Sequence, residues 1–552
     1  MLREIIRNWK KFERLGLGLV ILVLLVLTWL PYIYLASQTP VGFVYNSSTF
    51  VNPGDNTVYF SYIRQGAEGK WLVDNMYTSE VTLPVLQPFW ILLGKFSKLF
   101  SLDPPTIFHL VRTILIPIFI FFSYLFISYF LIDRKTRQIA LWFFSLGAGL
   151  GWLFVLAKPF FWFNNAWHNV PFDFFIPDAF PFTSMVISPH FILSWLLLLL
   201  TLNFGYLAIK YNNYFYTVIS ALIGGILLLL HPFYIPSVFG ILGVYWLVLS
   251  IQRRTFFWSG TLNLSLIFLA ALPSVGYYIY LYFFDWVTHI KTIQNFLPSP
   301  KLFITFLSFG FTFISSLLAV WFFRQKIAQQ VKDFSWLLAW SITTALLLYT
   351  PFLWQRRLAE GWFFPLAILF AFLLVEIDKY FFAKYKDWSI KRWFVWVPVI
   401  LVFIMSNLNF LGLNFFYIQQ KSYAYYYFPQ EFLAAANWLE KNTTPDKIIF
   451  TNYDMWFRTS PALVTRRQYL GHLVETVDSH KKYLEMKWFF QNNSQDEKKY
   501  EFLQKTGINY IVYYSEAPDF NIFQPQEKNY LQPIFTQNNI TIYQVVLNNA
   551  NE

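Results

Sequence analysis

The sequence predicts a polytopic α-helical membrane protein that ends in a soluble α/β domain on the outer side, and three observations carry that expectation. Of the 552 residues, 56% are hydrophobic and only 13% charged, with a mean hydropathy of +0.42, a balance that an ordinary soluble protein of this size does not keep. Apolar runs long enough to cross ~30 Å of hydrocarbon recur down the chain with short polar loops between them. From Gln419 onward the composition changes abruptly to charged and polar residues.

The composition also excludes function classes. A net charge of +12 invites a nucleic-acid reading, but Lys and Arg of membrane proteins collect in cytoplasmic loops, and no basic, aromatic-interleaved soluble module accompanies the charge. Nucleic acid is therefore not an expected partner; membrane lipids are. The 65 Phe, 35 Tyr and 23 Trp suit lipid-facing helices and interfacial belts. With no cysteine, neither a disulfide framework nor a thiolate metal site can form.

Arg3, Arg7, Lys10, Lys11 and Arg14 precede the first apolar run, 16–36, with no small-residue cleavage site behind it. This reads as a retained signal anchor with a cytoplasmic N-terminus, which puts the polar segment 37–80 outside. A short helix is expected there over 57–65. The apolar stretch 83–102 contains Pro84, Pro88, Gly94, Lys95 and Lys98 and reads as a helix lying in the outer interface. With it excluded as a span, the next ones fall at 107–132, 139–157, 191–209, 215–230, 235–251, 262–282, 302–323, 335–351, 363–375 and 394–413. Arg134, Lys135, Arg137, Lys210, Arg253, Arg254, Arg324, Lys326, Lys379, Lys384, Lys386, Lys391 and Arg392 then all face the cytoplasm. About eleven spans result, an odd number, so the tail lies outside.

The expected division is a membrane module over 1–418, with 37–106 as its first outer loop and juxtamembrane helices, and a soluble extracytoplasmic domain over 419–552. In that tail, 432–440 has helical spacing, 447–451 and 509–514 read as strands, and 534–546 as a hairpin about Gln537-Asn538-Asn539. Nothing resembling a GxGxxG or P-loop sits at a strand-to-helix turn, so no nucleotide cofactor is expected. Asn46, Asn442 and Asn539 open glycosylation-type triplets on the outer side.

By this topology the cytoplasmic loops are short and simply basic, while the outer side collects the groups that do chemistry. Asp55, Arg64 and Glu80 lie in the first outer loop and Arg112 near the outer end of the second span. His168, Asp173, Asp178 and His190 lie in or beside the second loop, and His231 opens the third. Asp285, His289, Lys291 and Gln294 occupy the fourth, and Gln355-Arg356-Arg357 with Glu360 the fifth. In the tail, 466–476 holds Arg466, Arg467, His472 and Glu475, groups useful for sugar recognition, although an ordinary strand and loop is the preferred reading.

A basic leader, one span, Asn52-Pro53-Gly54-Asp55-Asn56-Thr57-Val58-Tyr59, Gly69, Pro88-Phe89-Trp90, Leu93-Gly94 and Arg112 follow one another in an order that resembles the N-terminal half of the GT-C glycosyltransferases. These use polyprenyl-phosphate sugars and include protein mannosyltransferases and the aminoarabinose transferases of lipid A. The resemblance implies that Asp55 is the catalytic general base and that Arg356, Arg357 and Arg112 contact the donor phosphate. It further implies a polyprenyl-phosphate-linked sugar donor and a glycan, lipid or protein acceptor. Arg64, Glu80, Asp173, Asp178, His190, His231, His472 and Glu475 are possible acceptor or cavity residues. Where the family commonly carries an Asp-Glu pair, this chain has Asp55-Asn56, so no cofactor is expected and a divalent metal is not favoured.

The chemistry stands on its own terms. Inverting transfer needs one carboxylate to take the acceptor proton, and cations to meet the charge that develops on a departing phosphate. Each assignment has a plainer competitor. Asp55 in a Pro-Gly-Asp turn is often a turn residue or helix cap, and Arg356 and Arg357 suit headgroup contacts. Asp173 and Asp178 read as solvated loop residues, and His168, Asp173 and His190 fit no metal-ligand spacing. The competing function is a transporter or flippase of lipid-linked envelope precursors. Such proteins place ionisable groups mid-span and show internal repeats, whereas here the ionisable groups sit at loop ends. A third reading, a scaffold for envelope assembly, predicts no cavity beneath Asp55.

Overall fold

The computed structural model describes residues 2–51, 53–156, 170–384, 391–419, 426–518, 520 and 522–546. Among the described residues, seven helices are long and apolar enough to cross a membrane: Lys11–Ser37, Pro104–Phe130, Pro189–Tyr211, Pro232–Arg253, Trp258–Phe284, Leu302–Phe322 and Phe394–Phe416. Tyr214–Leu230 and Phe334–Leu347 are shorter apolar helices at two further expected spans. Another expected span is the first part of the helix Phe363–Lys384.

The segment 139–157 departs from expectation, because it is not one span. Its helix, Arg134–Leu146, stops at Gly147, and the chain resumes a helix only at Trp152–Leu156. The three glycines between are needed for close approach: a Cβ on Gly149 would lie 1.9 Å from the Ser308 carbonyl oxygen, and one on Gly151 2.1 Å from Asp173 Oδ1. The loop is tied by Ala148 N–H to Phe403 O (2.7 Å) and Leu150 N–H to Leu307 O (2.8 Å).

The described chain divides into two compact units. The first comprises Met1–Pro31, His109–Ile279 and Phe296–Phe416. At its centre Pro189–Tyr211 is buried all round, as a helix apolar on every face must be. Gly205 and Gly224 let Tyr214–Leu230 come close to it, and Ser220 donates to Thr201 O (2.8 Å). The basic residues expected on one side of the membrane form ion pairs with acids from helix ends expected on that same side. Arg137 meets buried Glu13 (3.3 Å), Lys135 meets Asp378 (2.9 Å), Lys326 meets Glu376 (2.9 Å) and Lys210 meets Asp333.

The second unit comprises Tyr32–Phe108, Tyr280–Asn295 and Tyr417–Glu552. Its strands are β1 (Phe43–Tyr45), β2 (Tyr427–Pro429), β3 (Ile448–Thr451), β4 (Arg467–Gln468), β5 (Ile508–Tyr514), β6 (Leu531–Gln537) and β7 (Ile540–Val545). β1 pairs antiparallel with β2, Val44 opposite Phe428. The others form a mixed sheet in the order β4-β3-β5-β7-β6, with β3 parallel to both neighbours and the β6–β7 hairpin antiparallel at one edge.

Side chains on a strand alternate between faces, and β5 does so: Ile511 and Tyr513 join one core with Met486, Phe489, Phe490 and Leu503. Val512 and Tyr514 join the other, with Phe432, Ala435, Leu439 and Trp456. Helices Glu431–Asn442 and Asp454–Leu463 therefore cover one face, and Ser479–Phe490 and Asp496–Thr506 the other. The tail is an α/β domain with a helical layer on each side of its sheet.

Candidate functional site

Pro53 opens a helix, Pro53–Ala67, longer than the 57–65 read from the sequence. Proline suits a first helical position because the N–H it lacks has no intrahelical partner there. Asp55 lies in that first turn, where the helix dipole favours a carboxylate. Its side chain is 34% exposed, and its Oδ1 lies 2.9 Å from His472 Nε2. A Cβ on Gly54 would come within 3.0 Å of the His472 ring, so glycine clears the space the imidazole occupies.

The helix Pro88–Phe100, expected in the outer interface, packs Trp90, Leu93, Gly94 and Ser97 inward. Leu92, Phe96, Leu99 and Phe100 are left exposed as one apolar face. Trp90 stacks on Tyr59 (4.4 Å between ring centres, 13° between planes), and Tyr59 follows Asp55 by one helical turn.

Around the Asp55–His472 pair, the segment 466–482 is fastened along residues 75–80. Gln468 N–H donates to Met76 O (3.0 Å), Leu470 bridges to Thr78, Thr476 Oγ1 donates to Tyr77 O (2.6 Å) and Asn75 Nδ2 to Glu475 O (2.8 Å). Gly471 is obligatory, since a Cβ there would meet the Tyr77 backbone at 2.7–2.8 Å. Lys482 ends the run in an ion pair with Glu80 (2.7 Å), and Glu475 pairs with Lys291 of the helix Trp286–Gln294. The Tyr77 ring stands edge-on to His472 (6.3 Å, 83°). Burial, with the Glu475 carboxylate nearby, holds the Tyr62 and Tyr77 hydroxyls well above the ordinary tyrosine range, so both stay protonated.

Arg64 bonds Glu68 (2.9 Å) and Glu440 (3.4 Å), fastening its helix to the tail. Arg466 is buried and donates to Thr443 Oγ1 and to backbone carbonyls of 439–443. Of the 466–476 segment, His472 and Glu475 thus reach the Asp55 neighbourhood, while Arg466 holds the domain together.

A second cluster lies in the other unit. Arg356 and Arg357 sit on the 3-10 turn Gln355–Ala359. Arg357 Nη1 lies 3.5 Å from Asp178, and its guanidinium lies over the Phe233 ring (4.8 Å). His231 and His190 stand with ring centres 5.5 Å apart, and Ser188 Oγ bonds His190 Nδ1 (2.6 Å). Burial first, and the Arg357 guanidinium second, push the His231 pKa down, so its ring is neutral at physiological pH. Ser194 donates to Glu360 Oε1 (2.7 Å), and burial followed by Asp178 repulsion pushes the Glu360 carboxyl well above the ordinary glutamate range. Arg357 is the cation of this cluster that Asp178 partly offsets.

Three expected residues occupy different surroundings. Arg112 is fully buried, its Nη1 donating to Thr28, Met185 and Val186 carbonyls (3.0–3.1 Å) and its guanidinium lying over Trp29. This is the geometry of a brace. Asp173 and Asp178, expected to be solvated, are 0% and 5% exposed. Asp173 Oδ2 accepts from Gly151 N–H (2.8 Å) and Ser406 Oγ (2.7 Å), locking the glycine loop. His168 lies outside the described residues.

No family model and no curated protein matches the sequence. Solved structures do match. The apo oligosaccharyltransferase of Archaeoglobus fulgidus aligns with TM-score 0.52 and 14% identity, covering 92% of this chain and 70% of that one. The mycobacterial arabinofuranosyltransferase AftD aligns with TM-score 0.53 and 13% identity, covering 97% of this chain and 40% of AftD. The chain shares its fold with these two structures. A third match, at TM-score 0.50 and 13% identity, is the archaeal oligosaccharyltransferase AglB in complex with an inhibitory peptide and a dolichol-phosphate.

No group of three or more His, Asp or Glu among the described residues converges as metal ligands do. Sequence reasoning missed the buried hydroxyls of Tyr62 and Tyr77 near Glu475, and Lys291 as the partner of Glu475. Tyr62 had a usable signal, because it follows Tyr59 by three positions on the same helix.

Proposed function

We propose that the protein is an inverting glycosyltransferase that moves a sugar from a polyprenyl-phosphate donor to an acceptor hydroxyl at the outer face of the cell membrane. The observation that carries this reading is Asp55: a partly exposed carboxylate in the first turn of a helix, with one oxygen held by His472, in a chain that shares its fold with the archaeal oligosaccharyltransferase. Asp55 Oδ2 takes the acceptor proton as the acceptor oxygen attacks the anomeric carbon. The bond from that carbon to the phosphate oxygen breaks on the opposite face. Arg357 with Arg356 is the proposed holder of the donor phosphate, since a guanidinium fork suits phosphate oxygens. Arg112 braces the helices nearby.

In this reading the N-terminus is cytoplasmic, and 37–106 and 419–552 lie outside, where a glycan, lipid or protein acceptor is met. The exposed apolar face of Pro88–Phe100 rests in the outer interface among membrane lipids.

The test is Asp55→Asn in the full-length protein. General-base loss lowers turnover by ~10²–10⁴-fold, with folding checked by thermal melting. An Asp55→Asn protein that folds and transfers sugar at the wild-type rate overturns the assignment.

A further inference from the structure

His472 is held in one ring orientation by what surrounds it. Val474 N–H points at Nδ1 (3.4 Å), so Nδ1 is an acceptor and carries no proton. The ring proton is then on Nε2, which donates to Asp55 Oδ1 at 2.9 Å. Ring position is fixed as tightly as the tautomer. The turn that carries it closes on itself through Glu475 N–H and Thr476 N–H to His472 O (3.0 and 2.9 Å) and Gly471 N–H to Thr476 Oγ1 (2.9 Å). It is held from the far side by Gln294 Nε2 to Thr476 O (3.1 Å) and by the Lys291–Glu475 ion pair. His472 is 16% exposed, Tyr77 stands against its ring, and Gly54 leaves the ring room beside the helix turn. A surface histidine with no task needs none of these restraints.

We propose that His472 is a positioning residue for Asp55: it donates Nε2–H to Oδ1 and fixes the carboxylate rotamer, leaving Oδ2 to take the acceptor proton. This rests on Asp55 being the base. The tail then supplies a member of the site from a distant part of the sequence. No proton is relayed, because Nδ1 is occupied by the Val474 N–H; the proton taken from the acceptor stays on Asp55 until solvent removes it.

The test has two arms on the full-length protein in nanodiscs. In the first, ¹⁵N-histidine NMR reads the tautomer, with His472→Gln identifying the resonance. The expected result is a protonated Nε2 and a bare Nδ1, with the Nε2–H signal shifting in Asp55→Ala. A His472 protonated on Nδ1, or indifferent to Asp55→Ala, overturns the proposal.

The second arm measures transfer from a panel of polyprenyl-phosphate pentoses and hexoses. His472→Leu lowers kcat about tenfold to a hundredfold with the donor KM within about twofold, the pattern of a lost transition-state interaction. His472→Gln, whose amide nitrogen stands where Nε2 stood, restores kcat to within about threefold of wild type. A Leu variant as fast as wild type, or a Gln variant as slow as Leu, overturns the proposal while Asp55→Asn alone decides the function. If no sugar in the panel is transferred, the NMR arm decides.

Discussion

The Cα atoms of Gly66 and Gly94 mark the point where the helices Pro53–Ala67 and Pro88–Phe100 touch, and neither position has room for a side chain. A Cβ on Gly94 would lie 2.3 Å from Ile63 O and 2.7 Å from Gly66 Cα, and one on Gly66 2.8 Å from Ile91 O. All of these obstacles are backbone. Gly94→Ala therefore separates the helices, at about 1–3 kcal/mol of stability, and lowers the melting temperature. Gly276→Ala, where the added Cβ meets nothing within 4 Å, is the control. It leaves melting unchanged or raises it slightly.

Glu80 and Lys482 test how the 466–482 segment is held. Lys482 is 7% exposed and Glu80 23%. Burial opposes the Glu80 charge, but hydrogen bonds from Lys482 and Thr78 together outweigh it and set the carboxyl below its ordinary range. A carboxylate with a depressed folded pKa stabilises above its unfolded pKa and loses that contribution as pH falls through the folded value. Hydrogen exchange over 75–80 and 466–482 accordingly rises in acid, below the ordinary glutamate pKa. Glu80→Gln leaves a buried ammonium and costs about 2–4 kcal/mol; adding Lys482→Met recovers most of it. Equal damage in the double variant is the contrary outcome.

Asp178 and Arg357 make opposed predictions. Removing the carboxylate that offsets Arg357 strengthens its hold on phosphate, so Asp178→Asn tightens binding of undecaprenyl phosphate several-fold. Arg357→Ala weakens it by about tenfold or more. Binding measured by scintillation proximity separates the two, and movement in the same direction rules out Arg357 as the phosphate ligand.

Glu360 carries a pH signature of the other sign. Its carboxyl is pushed above its unfolded value by burial, so between the two pKa values the folded state binds the extra proton and stability falls as pH rises. Glu360→Gln copies the protonated form and removes that decline. The melting temperature of the variant relative to wild type rises as pH climbs above the ordinary glutamate range, while transfer stays within about twofold. A difference independent of pH would mean that Glu360 is ionised when folded.

The parts legible in the sequence are those set by local spacing. The tail strands alternate apolar residues onto two faces, and the β6–β7 hairpin turns at Asn538 (φ 49°), a conformation asparagine tolerates better than most residues. Pro-Gly-Asp reads as a turn or cap just ahead of a helix over 57–65, whereas the helix opens at Pro53 and takes Asp55 into its first turn. What local spacing does not carry is long-range pairing. His472 gains its meaning from Asp55, and Asp173 from Gly151 and Ser406. The 139–157 segment is apolar enough to read as one span, yet Gly147 to Gly151 are set by what crosses them, the Ser308 backbone and the Asp173 carboxylate.

The pairing of β1 with β2 sets a timetable for biosynthesis. Phe43 to Tyr45 leave the ribosome long before Tyr427 to Pro429, and Tyr427 is also the residue that donates to Leu35 O. At ~5–20 residues per second, translation of the intervening chain takes roughly 20–80 s. Throughout that interval the segment holding Asp55 waits with an unpaired strand and without its histidine. A nascent protein of this design is vulnerable early, on the side of the membrane its first loop reaches, and a holding factor there raises its yield more than one acting on the finished tail.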